Sequence, residues 1–163
     1  MKQKMRQLLS ELLKDSKRSD RELARTLKIS QPTVSRMRQK LVKEGAIREF
    51  TAIPDFAKLG YEIMAVTLAK AKETLAPDEQ EKAKKLVLDE PRVILVAGAE
   101  GMGRNGVMIS LHKDYADFRK FMDNLKLNSG GYMKEVDSML ISLRSGTTVK
   151  PLSLSHLDVL EDA

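Results

Sequence analysis

Residues 19–50 read SDRELARTLKISQPTVSRMRQKLVKEGAIREF, and this stretch decides the first half of the fold. Ser19 and Glu22 make an S-x-x-E capping box, which opens a helix by satisfying two of its free N–H groups. Leu23, Ala24 and Leu27 supply its inner side. Ser30 is the expected N-cap of the next helix, with Pro32 in the first turn, where a missing N–H costs little. Gly45 suits the left-handed position that ends that helix. Ile47–Ile53 reads as extended and is expected to contribute to a short strand pair. Two short helices, a tight turn and that extended segment make a helix-turn-helix with a wing.

The second of these helices has two unlike faces. At about 100° per residue, Val34, Met37 and Leu41 fall in one arc and must face a core. Ser35, Arg36, Gln39 and Lys43 fall opposite, with Gln31 and Pro32 at the N-terminal end and Lys40 beside them. A helix that enters the major groove needs such a face, because its outer residues must bond to base edges. Arg36 suits guanine or phosphate and Gln39 suits adenine, while Lys40 and Lys43 suit phosphates. Arg18, Arg21, Arg25 and the wing residue Arg48 are placed to meet flanking backbone. The plainer reading is a solvated basic face on a helical bundle. The capping box, the proline-opened helix and the opposed apolar arc favour the DNA reading when taken together.

Charge points the same way. Residues 1–50 carry a net +8 and residues 51–163 a net −2, within a total of +6. A basic end on a near-neutral remainder suits a polyanionic partner. There is no cysteine, which removes disulfides and thiolate chemistry together. No apolar run is long enough to span a bilayer. The opening MKQKMRQLLSELLKD is charged throughout and unlike a signal peptide, so a cytoplasmic location without membrane contact is expected. Within it, Met5, Leu8, Leu9, Leu12 and Leu13 form one helical stripe.

Pro54–Gly60 breaks the pattern and is expected to be a hinge between domains at 1–53 and 61–150, with a tail at 151–163. After the hinge the order is strand 61–72, helix 77–89, strand 92–97, strand 107–111, helix from Asp114, strand 132–143. That is the split βαββαβ, or ferredoxin-like, arrangement of an α+β domain. Its helices would cover one face of an antiparallel sheet, yet the strands carry apolar residues on both faces. A second sheet on the open face would explain this, which predicts a homodimer.

The segment RELARTLKISQPTVSRMRQKLVKEGAIREFTAIPDFAKLGY resembles the N-terminal domain of the leucine-responsive/asparagine-operon regulators (Lrp/AsnC), transcription factors of bacteria and archaea. ELA, then IS..TVSR, then KL...G.I...TA..D...LGY carry the likeness, and the later element order matches that family's second domain. The resemblance implies a sequence-specific regulator that binds pseudo-palindromic promoter sites as a homodimer, tetramer or octamer, with a small-molecule effector held where dimers meet. It implies DNA contacts from Ser30, Thr33, Ser35 and Arg36, beside Gln31, Gln39, Lys40, Lys43 and Arg48. Thr33 lies nearer the core and is alternatively an N-terminal cap.

The stretch 98–106, GAEGMGRNG, departs from the family's usual Gly-x-Tyr-Asp turn. Glu100 is its only acid, so amino-acid binding in the usual manner is not expected. Gly98, Glu100, Gly101, Met102, Gly103 and Arg104 are the candidate effector contacts on a flexible hairpin loop. Gly101-x-Gly103-x-x-Gly106 spells a dinucleotide fingerprint, but Val107–Leu111 after it reads as strand where that mechanism needs a helix. His112 and His156 are far apart with no further ligand at metal spacing, so no metal and no cofactor are expected. The chain is read as a non-enzyme. Two other functions compete. One is a catalytic relative of the sirohaem decarboxylase type, with His112 in its pocket. The other is an effector-binding or assembly protein that does not touch DNA. RNA binding on the sheet lacks the aromatics it would need.

Overall fold

In the computed structural model, residues 2–72, 74, 76–129, 131–146, 148–157 and 159 are described. Of the tail expected at 151–163, residues 158 and 160–163 lie outside them. The chain divides into two compact units, residues 1–53 with 150–163, and residues 54–149.

The first unit holds α1 (Gln3–Lys14), α2 (Asp20–Leu27) and α3 (Gln31–Lys43). Their inner stripes meet in one core of Met5, Leu8, Leu12, Leu23, Ala24, Leu27, Val34, Leu41 and Ile47, with Leu9, Ile29 and Met37 packed against it. Ile47 is tied in by its N–H, which donates to the Leu41 carbonyl at 3.1 Å. The strand pair expected after α3 does not form: residues 44–62 contain no strand. Arg48–Ile53 is exposed, and an extended segment becomes a strand only when a second one offers it a ladder. Residues 55–61 are closed by turns, with Lys58 and Leu59 N–H groups donating to the Asp55 carbonyl.

The second unit is β1 (Ile63–Ala71), α4 (Pro77–Leu88), β2 (Val93–Gly101), β3 (Arg104–His112), α5 (Tyr115–Asn128) and β4 (Met133–Ser142). The sheet order is β2-β3-β1-β4, antiparallel throughout. The helices cover one face, burying Ala65 and Met108 under Phe118, Phe121, Met122 and Leu125. Strand alternation sends Met64, Val66 and Leu68 to the other face, beside their partners Val107, Ile109, Met139 and Ile141. Met139 there is 70% exposed.

Two features of this unit differ from the reading of the sequence or extend it. The glycine-rich stretch, expected as a flexible hairpin loop, does form the hairpin, but most of it is strand. β2 runs to Gly101 and β3 starts at Arg104, so only Met102 and Gly103 turn the hairpin, at φ +53° and +71°. Positive φ at both central residues matches the twist of flanking strands. Gly106 sits inside β3, paired with Gly98 and Ala69, so no helix begins where a dinucleotide site needs one.

At the other end of β3, His112 is fully buried between Phe118 and Phe121. Its Nε2 pairs with the Ser110 hydroxyl at 2.8 Å, while Nδ1 has no hydrogen-bond partner among the described residues and lies 3.6 Å from Asp117 Oδ2. Arg92 donates to Glu90 (2.7 Å) and Asp117 (2.9 Å) and stacks 4.9 Å from the Phe121 ring centre. Burial pushes the His112 imidazole below its ordinary pKa, and the Asp117 carboxylate opposes that in part.

Candidate nucleic-acid interface

The turn between α2 and α3 is built by local bonds that its sequence encodes. Ser19 Oγ accepts the Glu22 N–H at 3.3 Å, and Glu22 Oε2 accepts the Ser19 N–H at 2.7 Å. α2 stops at Lys28, whose backbone turns left-handed at φ +54°. The Ile29 N–H returns to the Ala24 carbonyl at 3.0 Å. Ser30 then caps α3 by accepting the Thr33 N–H at 3.3 Å, and its hydroxyl meets the Thr33 hydroxyl at 2.7 Å. The cap is thus Ser30 and not Thr33, which is half-buried in the first turn of α3.

Val34 and Leu41 pin α3 to the core. Gln31, Arg36, Gln39, Lys40 and Lys43 stand on its exposed side, with Ser30 at the tip and Ser35 half-buried at the edge. Arg36 Nε donates to the Pro32 carbonyl at 3.3 Å, which lays the guanidinium along the first turn. Lys40 lies 3.4 Å from Glu44, a pair too exposed to hold it. Lys43 and Arg48 are exposed and have no ion-pair partner among the described residues. The candidate DNA contacts on α3 thus share one open, cationic surface.

Two arginines do something else. Arg18, expected against the DNA backbone, is engaged by Glu11 and Thr26 and is half-buried. Arg38 drew no role from the sequence. Its Nε donates to Asp20 Oδ1 at 2.9 Å, its Nη2 to the Arg18 carbonyl at 3.2 Å, and its guanidinium lies 5.6 Å from the Phe50 ring centre. The signal was its position one turn from both Val34 and Leu41, on the flank of the buried arc.

The candidate effector residues lie along one hairpin. Met102 is 87% exposed at its tip, and Gly98, Glu100, Gly101 and Gly103 are exposed along it. Arg104 is committed to β4, with Nε 2.9 Å from Asp137 Oδ2 and Nη1 2.7 Å from Glu135 Oε2. Among the described residues no group of three or more His, Asp or Glu is placed to hold a metal ion. No helix among them is long and apolar enough to cross a membrane.

Comparison with known proteins agrees with this geometry. Residues 1–48 match the family described as winged helix-turn-helix DNA-binding. PH0061 of Pyrococcus horikoshii, named as an uncharacterised HTH-type transcriptional regulator, is 36% identical over 105 residues, which cover 64% of this chain and 67% of that protein. Its crystal structure superposes with a TM-score of 0.77 at 28% identity, over 94% of this chain and 97% of that one. The HTH-type transcriptional regulator LrpC of Bacillus subtilis is 37% identical over 65 residues, 40% of this chain and 45% of that protein.

The chain belongs to the Lrp/AsnC family. It is an HTH-type, DNA-binding transcriptional regulator, and the two-unit order seen here is the Lrp/AsnC order. The LrpC structure has the same fold, with a TM-score of 0.72 over 86% of this chain and 94% of that one, at 23% identity.

Proposed function

We propose that this regulator binds duplex DNA as a homodimer, with one α3 entering the major groove at each half of a pseudo-palindromic site. The observation that carries the reading is the outer face of α3, where polar and cationic side chains are exposed while Val34 and Leu41 hold the helix from behind. Arg36 and Gln39 read bases, helped by Ser30, Gln31, Thr33 and Ser35 at the N-terminal end. Lys40, Lys43 and Arg48 hold phosphates. Dimerisation uses the uncovered sheet face of Met64, Val66, Leu68, Ile109 and Met139, since exposed apolar patches of that kind mark association surfaces. Higher assemblies build on that dimer. A small molecule is sensed at the hairpin 98–104, where Glu100 and Met102 are exposed.

This reading is non-catalytic. His112, the histidine a decarboxylase-like site would need, is fully buried and walled by Phe118 and Phe121. The protein then acts in the cytoplasm, on the chromosome.

The test is selection of duplexes from a random library by the full chain, followed by binding across a salt series. The expected result is a two-fold sequence with half-sites about one helical turn apart and an affinity that falls steeply with salt, as counterion release requires. Failure to enrich any duplex at low ionic strength would overturn the reading.

A further inference from the structure

The C-terminal segment rejoins the first unit: residues 150–163 group with residues 1–53. The chain therefore passes between its two units twice, once at 53/54 and once at 149/150.

Within the first unit a groove of about 840 Å³ runs between α1 and the segment that follows α3. Leu9, Leu12 and Leu13 line it from α1, and Ile47, Phe50 and Ile53 from the segment. Ser153, Leu154 and Ser155 complete its lining. The tail is shaped there by its own bonds: the Leu157 N–H donates to the Leu154 carbonyl at 3.1 Å, and the Ser155 N–H to the Ser153 hydroxyl at 3.2 Å. Leu154 is 45% exposed, so more than half of its surface is covered.

We propose that residues 150–157 form a strap that seats Leu154 in this groove of its own chain and fastens the second unit to the DNA-binding unit at a second point. Three observations support this. The groove offers apolar side chains from Leu9, Leu12, Leu13, Ile47, Phe50 and Ile53 beside a polar rim of Lys14, Lys17 and Glu49, and Leu152 and Leu154 alternate with serines in the strap. Only seven residues, 143–149, separate the end of β4 from the strap, and a short tether raises the effective concentration of the segment it carries. The groove is also lined by Phe50–Ile53, the residues through which the chain first leaves the unit. Both crossings thus border the same groove. The proposal goes beyond DNA recognition and does not depend on it.

The chain has no cysteine, so an introduced pair can be read cleanly. Leu13→Cys with Leu154→Cys, treated with a short bismaleimide, is expected to give an intrachain link in several-fold higher yield than Arg25→Cys with Leu154→Cys, because α2 does not line the groove. In the full chain, Leu154→Asp is expected to shorten the tumbling time of first-unit amides in ¹⁵N relaxation, leaving second-unit amides unchanged. A covalent dimer in place of the intrachain link would overturn the proposal. So would a yield no higher than the control, or tumbling that Leu154→Asp does not alter. None of these readouts involves DNA, so they fail or succeed apart from the reading of α3.

Discussion

Arg38 of α3 reaches back to Asp20, the first residue of α2, with Nε 2.9 Å from Oδ1. Arg36, two residues earlier, faces outward. Two arginines on one helix therefore serve different ends. Arg38 ties α3 to the start of α2, and Arg36 is the residue proposed to meet DNA.

Arg38→Ala should destabilise the first unit by about 1–2 kcal/mol, since it removes a half-buried charged hydrogen bond and strands Asp20 and the Arg18 carbonyl. Thermal unfolding by circular dichroism would register this as a drop of several degrees. An unchanged Tm together with lost DNA affinity would instead make Arg38 a DNA contact.

Arg36→Ala should leave Tm within a degree of wild type and weaken specific binding by about 1–3 kcal/mol. Lys43→Ala should weaken binding evenly across sequences and lower the salt slope by about 1. Anisotropy titrations at several salt concentrations separate the two. If both variants behaved alike, base reading and phosphate anchoring would not be divided as assigned.

Met139→Lys places a charge on the open sheet face where the side chain is already 70% exposed, so the subunit should still fold. The expected outcome in sedimentation is a monomer that has lost most of its DNA affinity, because one half-site alone binds weakly. A variant that stayed dimeric would move the interface elsewhere.

Acid should weaken the second unit before its carboxylates titrate. The folded state holds His112 below the ordinary histidine value of about 6.5. The unfolded chain then takes up the proton first, so stability is complete above that value and falls as pH drops below it. Glu90 and Asp117 are held low as well, by Arg92 at Glu90 and by bonds from Lys113 and Arg92 that outweigh burial at Asp117, so their share is lost only at lower pH. Comparing Tm at pH 7.5 and 5.5 for wild type and His112→Gln checks this. A slope that survives the substitution would exclude His112 as its source.

Helix positions were legible wherever local chemistry acts alone. The Ser19–Glu22 box, the Ser30 cap and the spacing of Val34 and Leu41 are contacts within one turn or one helix. The order of the second unit was legible from alternation and from Pro77 and Asp114 at helix starts. What escaped depends on distant partners. Arg38 needed Asp20, eighteen residues away, and a basic residue on the flank of a helix looks the same with or without that acid. The 47–53 segment has strand composition, but its ladder partner is a matter of tertiary structure. By composition the stretch 98–106 reads as a flexible hairpin loop, because its glycines permit positive φ. Cross-strand pairing of Gly98 with Gly106 overrode that preference. The tail was opaque because its few leucines reveal nothing until the groove beside α1 exists.

The hairpin at Met102–Gly103 leaves no slack at its tip. A long loop can swing over a small molecule and take up its shape without troubling the rest of the protein. A two-residue connection cannot, because any shift of its backbone pulls on both strands it joins. β3 is hydrogen-bonded to β1, and Arg104 is tethered to β4. A signal that arrives at this corner must therefore spread as a change of twist through the whole sheet. The surface best placed to feel it is the oily side opposite the helices, where a neighbouring subunit would rest.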